Sequence, residues 1–524
     1  MPREMKSEHQ VKAAIVILAI LAISASDLVI PMEALARRPI TAWLWWFVLI
    51  AASWGQGAVL IQAFARDGFR EMPEARAAVT VGLGMGILSC EALLLGMAGL
   101  FTRPALTLLV LAVLLVGLLI QRVRRDHHIP EFEAVSQGAR GPLMLVGAAL
   151  LINLAYLLVP PVFFDAVTYH LELPSRYLLE GRIFHVGENL YSGYPQLVEI
   201  LYGAGLGLDG VALAGMISLT SFILTLALLW GWGRKRFGDE GSAWGLAILA
   251  LSPPLMILVG FFHNDWFAAF FTLAAVFLLM EGSRQAGVML LAGVMAGLAG
   301  GCKYTSLAFA FAAPLAAGIM VDVLGKERFR AGPWLLFLAS ALIAGSPWYI
   351  KNLIFTGDPL YPLLSGLAGA NPGMKILAVD THFKGLALSD LWSWLTVPYT
   401  AIFRSWELQF HISPGFLPLI LVPTLLSLRG SGTGSRFLGL WGLSTFLAWY
   451  LSFRVGRFLL PLLCLGCLYL GAGLVRATQA PTAWNRALRS LAVLLLLAGI
   501  GSFVGFDARY VNRTGAAMGS EDPG

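Results

Sequence analysis

The sequence predicts an all-α fold, a polytopic transmembrane bundle of about 13 to 15 helices, and three observations carry that prediction. Hydrophobic residues make up 58% of the chain and charged residues only 13%. Apolar runs of about 16 to 25 residues recur from end to end, close to the ~20 residues that one helical crossing of a bilayer needs. The runs are continuously apolar, whereas a membrane β-barrel alternates at period two. Among 524 residues the net charge is +6, and the basic residues crowd the short segments that share one side of the bundle. That charge is a topology signal and gives no support for nucleic-acid binding.

Taken in order, the runs predict spans at 11–30, 42–64, 77–101, 103–120, 142–160, 209–232, 241–260, 264–281, 287–300, 303–323, 333–350, 414–428, 437–453, 458–475 and 490–505. A cytoplasmic N-terminus puts Arg66, Arg70, Arg122, Arg124, Arg234, Lys235, Arg236, Arg284 and Arg330 inside, as the positive-inside rule requires. The basic start and small residues of the first run also resemble a signal peptide, but the apolar stretch is long for one. Cys90, Cys302, Cys464 and Cys467 lie in or beside apolar runs and read as small core residues, despite the C-x-x-C spacing of the last two.

Two outer segments are too long to be turns. Residues 162–208 carry helical apolar spacing interrupted by Gly181, Gly187, Gly193 and Pro195, which predicts amphipathic helices lying along the membrane surface. Residues 351–413 hold Trp392, Trp394, Trp406, His382 and His411 and are long enough to roof a cavity. The tail at 511–524 is short and polar.

Charge at the outer rim of the hydrocarbon layer marks the candidate site, because an ionisable group there is costly unless it is paired or lines a wet cavity. Asp165 ends one apolar run, and Asp265 stands in Phe-Phe-His-Asn-Asp-Trp-Phe between two more. Lys303, Arg454 and Arg457 fall on the same face in this topology. Helical spacing from Asp165 would direct Tyr169, Glu172 and Arg176 into one groove. Helix capping is the competing explanation for the aspartates, and interfacial snorkelling for the cations. His170 and His263 each neighbour an aspartate, which leaves a divalent ion as an open alternative without assigning one. Glu91, inside the third run, is either a functional carboxylate or a rim residue.

These residues also resemble a known family. Phe164-Asp-Ala-Val-Thr-Tyr-His-Leu-Glu-Leu-Pro174, His263-Asn264-Asp265, Gly297 to Tyr304, Lys351-Asn352 with Gly357-Asp-Pro-Leu-Tyr-Pro362, and Arg454-Val-Gly-Arg457 occur in order over about 140 to 475. Together they are similar to the polyprenyl-phosphate-sugar-dependent glycosyltransferases of the C-type membrane fold (GT-C), such as protein O-mannosyltransferases and lipid A aminoarabinose transferases. The resemblance implies a catalytic membrane domain at 141–510, with outer loops 162–208 and 351–413, behind an extension of about four helices at 1–140. It departs from the family in that extension, and in Gly-Asp-Pro where Gly-Asn-Pro is common.

The implied reaction moves a sugar from a polyprenyl-phosphate donor to an extracytoplasmic acceptor (lipid, glycan or protein) in one inverting displacement. Such a reaction needs a base near the acceptor and fixed cations on the departing phosphate. Asp165 suits the base, with Asp265 orienting it or holding the acceptor. Lys303, Arg454 and Arg457 suit the phosphate, with Tyr169, His170, Glu172, His263, Tyr304 and Tyr361 expected to line the substrates. The resemblance implies a multi-pass inner-membrane protein of bacterial type with its site facing outward, and no obligatory cofactor. A transporter or flippase of lipid-linked sugars, or an O-antigen-type polymerase or ligase, is the alternative. A transporter would place its charges at mid-membrane within repeated, broken helices.

Overall fold

The structure, a computed structural model, describes residues 40–65, 69, 71–124, 134–157, 161, 163–281, 284–325, 329–364, 432–452 and 455–479. The expected spans 11–30, 414–428 and 490–505, Arg454, the tail and most of the segment 351–413 lie outside the described residues.

Fourteen α-helices follow one another in the described residues, with no strand among them: α1 (Ile40–Phe64), α2 (Pro73–Met97), α3 (Arg103–Arg124), α4 (Gln137–Tyr156), α5 (Glu172–Glu180), α6 (Leu197–Asp209), α7 (Val211–Ala250), α8 (Pro253–Gly260), α9 (Asp265–Glu281), α10 (Ala286–Cys302), α11 (Ala313–Leu324), α12 (Ala331–Thr356), α13 (Thr433–Leu451) and α14 (Leu460–Gln479). Among the described residues, seven helices are long and apolar enough to cross a membrane. In hydrocarbon every backbone N–H and C=O must be satisfied within the segment, so continuous apolar sequence of this length becomes helix. The chain is a multi-pass membrane protein.

The expected span boundaries hold closely for α1, α9, α10 and α13. Elsewhere the structure corrects them. Span 209–232 and the first part of span 241–260 run through α7 as two helical stretches that meet at Gly238, whose non-helical backbone, at a φ of 75° that glycine tolerates, falls between the two expected spans. The rest of that span is separate. Ser252 is extended because it precedes Pro253, and α8 starts anew on the two prolines. The span 303–323 opens as a π-helical segment, Leu307–Ala312, before α11.

At the centre, α10 packs along α12, α9 on α10, and α7 against α14, α4 and α2, while α1 lies against α2 and α3. Small residues allow the closest approach: a Cβ on Gly297 of α10 would stand 2.3 Å from the Ala341 carbonyl of α12. The α3 face bearing Leu108, Leu111, Leu115 and Leu119 is exposed, as a lipid-facing surface must be.

The two ends of the bundle differ. At one end, Arg234 of α7 pairs with Glu74 and Asp239 at 2.8 Å each, Lys235 pairs with Glu71 and Glu281, and Arg284 pairs with Asp322 at 2.9 Å. At the other end lie α5, α6 and the start of α9. The 17 residues of α9 separate these two charged ends by about 25 Å at 1.5 Å per residue.

Candidate active site

Asp165 stands where the chain turns from α4 towards α5. Its backbone is already α-helical, it makes no side-chain capping bond, and the next five residues, Ala166–His170, form a π-helical turn. Capping therefore does not explain the aspartate. Phe163 stacks flat on Phe261, with ring centroids 4.0 Å apart, and so fixes the segment against the end of α8. The carboxylate points inward, where its Oδ2 accepts a hydrogen bond from Arg457 Nη2 at 3.1 Å.

Asp265 arrives from the other side of the cleft. Phe262 holds a left-handed φ of 57°, a conformation that costs a β-carbon residue about 1–2 kcal/mol. Packing overrides that cost, since the Phe262 ring is buried edge-on to Tyr202, whose hydroxyl donates to the His263 carbonyl. The turn delivers His263, Asn264 and Asp265 to the head of α9. A carboxylate is favoured there by the helix dipole. Asp265 Oδ1 accepts from Lys303 Nζ at 2.7 Å, and Arg457 Nε lies 3.6 Å from its Oδ2.

His263 Nδ1 lies 3.6 Å from an oxygen of Asp165 and equally far from one of Asp265, so the imidazole sits between the two carboxylates. The cations come from two further elements. Lys303 leaves the end of α10 in extended conformation, and Arg457 sits in the short 3₁₀ turn Gly456–Leu459 before α14. Phe458 backs both, with Lys303 Nζ 4.0 Å from its ring centre. Burial lowers the pKa of Lys303 below its ordinary value, while Asp265 opposes that shift. Asp265, Lys303, Thr305, Ser306, Arg457 and Phe458 line a cleft that continues down α9 between Thr272 and Pro461.

The other expected site residues divide into three groups. Tyr169 stacks on Tyr191 with centroids 4.1 Å apart, beside the cluster, and His170 is buried against it with its ring 5.6 Å from that of His263. Glu172 does not join them. It pairs with Arg176, which also binds Glu188, at the surface. The π turn has more than 3.6 residues per turn, so helical spacing counted from Asp165 misplaces everything after His170.

Tyr304 and Tyr361 form a brace further along. The Tyr304 hydroxyl donates to the Tyr361 carbonyl at 2.6 Å and accepts from Asn352 Nδ2. The Tyr361 ring lies against Gly193, where a Cβ would stand 2.1 Å from it. Lys351, recognised in the sequence only as part of a motif, donates to the carbonyls of Ser192 and Tyr194 and to Gln196 Oε1. It ties the end of α12 to the loop between α5 and α6.

Glu199 was not singled out in the sequence. It is buried in α6, bonded to His170 and Asn264, and its signal was an acid inside Leu-Val-Glu-Ile-Leu. A carboxylate oxygen of Asp165 and a ring nitrogen each of His170 and His263 lie within 4.8 Å of one another, a donor set able to hold a divalent ion. Arg457 bonds the same carboxylate, so an ion there would compete with the guanidinium.

Residues 206–350 match the family of dolichyl-phosphate-mannose-protein mannosyltransferases. The match agrees with the resemblance carried by the motifs. It contains His263, Asp265, Lys303 and Tyr304, and leaves Asp165 and Arg457 outside. Among solved structures, the chain is similar to ArnT from Cupriavidus metallidurans bound to undecaprenyl phosphate, at 16% identity and a TM-score of 0.47, over 67% of this chain and 63% of that one. It is also similar to the oligosaccharyltransferase AglB from Archaeoglobus fulgidus in complex with an inhibitory peptide and a dolichol-phosphate, at 14% identity and a TM-score of 0.44, over 70% and 55%. The chain thus spans less than two thirds of either protein. No curated protein matches it.

Proposed function

We propose that this protein is a membrane glycosyltransferase that moves a sugar from a polyprenyl-phosphate donor to an extracytoplasmic acceptor. One observation supports the reading above the others. Asp165, His263, Asp265, Lys303 and Arg457, drawn from separate segments of the chain, converge at one end of the bundle. Two carboxylates and two cations at lipid head-group depth suit a reaction that takes a proton from one substrate and releases a phosphate from the other.

In the proposed step the acceptor oxygen attacks the anomeric carbon while the bond from that carbon to the phosphate oxygen breaks. Asp165 takes the acceptor proton. The electron pair leaves with the polyprenyl phosphate, and Lys303 and Arg457 stabilise the charge that grows on it. Asp265 holds both cations in place, and His263 spaces the carboxylates. No covalent sugar–enzyme intermediate is needed, so the anomeric configuration inverts. The reading covers hexoses and pentoses alike.

The test is sugar release by purified protein in detergent from synthetic polyprenyl-phosphate sugars, with mass spectrometry of envelope lipids and glycans to find the acceptor. Cleavage that depends on Asp165 is expected. A lipid-linked-sugar transporter would bind the donor and cleave nothing, and that result would overturn the proposal.

A further inference from the structure

Glu199 lies outside the cleft, yet it is tied to three of the four segments that carry the site. It is 2% exposed within an otherwise apolar face of α6. Burying a carboxylate there costs more than burying an apolar side chain, unless its hydrogen bonds do something that packing cannot. Its Oε1 pairs with His170 Nδ1 at 2.7 Å and accepts from Asn264 Nδ2 at 3.1 Å. His170 ends the π turn that begins directly after Asp165, and Asn264 is the residue before Asp265. The same Asn264 amide donates to the carbonyl of Cys302 at 3.1 Å, one residue before Lys303. One buried oxygen thus holds His170, five residues after the expected base, and Asn264, which in turn holds the residue before Lys303.

We infer that Glu199 is a positioning residue that sets the distance between Asp165 and Asp265, an inference that rests on the proposed transferase reading. It acts through two arms. On one arm it engages Nδ1 of the His170 ring, which fixes the tautomer and stands that ring edge-on to His263 at 80°. His263 in turn lies 3.6 Å from each carboxylate. On the other arm it holds Asn264, and with it the turn that aims Asp265 and the end of α10. Loosening either arm leaves the binding surfaces in place and moves the reacting groups.

The experiment compares E199M and E199A, which both lack the acceptor oxygen, with the wild-type protein in the donor-cleavage assay. A misplacement of about 1 Å can cost on the order of 10²-fold in turnover, so kcat should fall by about that factor with KM for the donor unchanged. The double variant E199A/N264A should lose less than the sum of the two single losses, because the Glu199–Asn264 bond is counted in both. E199M keeps the length without a strong acceptor and decides the matter if E199A does not fold. Nitrogen-15 histidine NMR on purified protein supplies a readout independent of turnover: His170 should carry its proton on Nδ1 in the wild type and lose that preference in E199A and E199M. Near-normal kcat, additive losses or an unchanged tautomer in these variants would each overturn the inference. Absence of any cleavage by the wild-type protein would overturn the proposed function instead, and the tautomer would still report whether Glu199 holds His170.

Discussion

Arg457 and Asp165 are 292 positions apart in the chain, and their side chains meet at 3.1 Å. The same guanidinium reaches Asp265 through Nε at 3.6 Å. One cation therefore neutralises part of both carboxylates, which is how charge survives at the edge of a bilayer.

Replacing Asp165 with Asn should abolish transfer without unfolding the protein. Loss of a general base costs typically about 10²- to 10⁴-fold in rate. Donor cleavage and thermal unfolding, measured on one detergent preparation, check this; activity near wild type in a folded variant would remove Asp165 from the chemistry.

The cations should matter more to turnover than to binding, because negative charge on the leaving phosphate grows towards the transition state. Lys303→Met and Arg457→Met should each lower kcat more than they raise KM. Arg457→Lys should recover only part of the loss, since one ammonium cannot hold Asp165 and Asp265 with the fixed fork of a guanidinium. Full recovery would show that a point charge suffices.

Alkaline pH should separate the two cations. The pKa of Lys303 is lowered by burial, so its charge is lost, as pH rises, earlier than that of an ordinary lysine. A guanidinium, unlike an ammonium, is not deprotonated in a protein. Donor turnover should therefore fall on the alkaline side, and Lys303→Arg should move that limb upward. A limb unmoved in Lys303→Arg would assign it to another group.

Lys351→Met should destabilise the outer loop and leave the carboxylate pair intact. Its ammonium serves three acceptors, the carbonyls of Ser192 and Tyr194 and Gln196 Oε1. Leaving buried acceptors unpaired costs about 1–3 kcal/mol each. A lower unfolding temperature, with faster proteolysis between Gly181 and Gly193, is the expected pattern; an unchanged temperature would contradict the brace.

Orientation is tested by single cysteines at two exposed positions. Gly187 lies in the loop between α5 and α6 and Gly332 at the start of α12, and neither has a neighbour within 4 Å of an added Cβ. With the site outward, an impermeant thiol reagent should label Gly187→Cys in intact spheroplasts and Gly332→Cys only after lysis. The reverse pattern would invert the topology.

Most of this architecture was legible because the signals were charges in an apolar background. Asp165, Asp265, Lys303 and Arg457 stood out for that reason, and the structure brings all four together. Periodicity failed where the backbone left the α-helical repeat. The π turn at Ala166–His170 sent Glu172 to the surface, and Ser252 broke a run that looked continuous. Tyr304 and Tyr361 were expected among substrate contacts. They bond to each other, and no spacing rule distinguishes a brace from a pocket wall. Glu199 escaped notice because a single acid on an amphipathic helix looks solvent-facing until its partners arrive from elsewhere in the chain.

Helix α9 carries an acid at each end, Asp265 at its first residue and Glu281 at its last, with no other charge between them. Glu281 is moored to Lys235. The helix therefore works as a ruler whose zero is fixed at the Lys235 end of the bundle and whose tip sets the bearing of Asp265. Its length is about 25 Å. Inserting one residue between Trp266 and Met280 would turn the tip by about 100°. The carboxylate would then swing away from Lys303, although every side chain of the site would still be present.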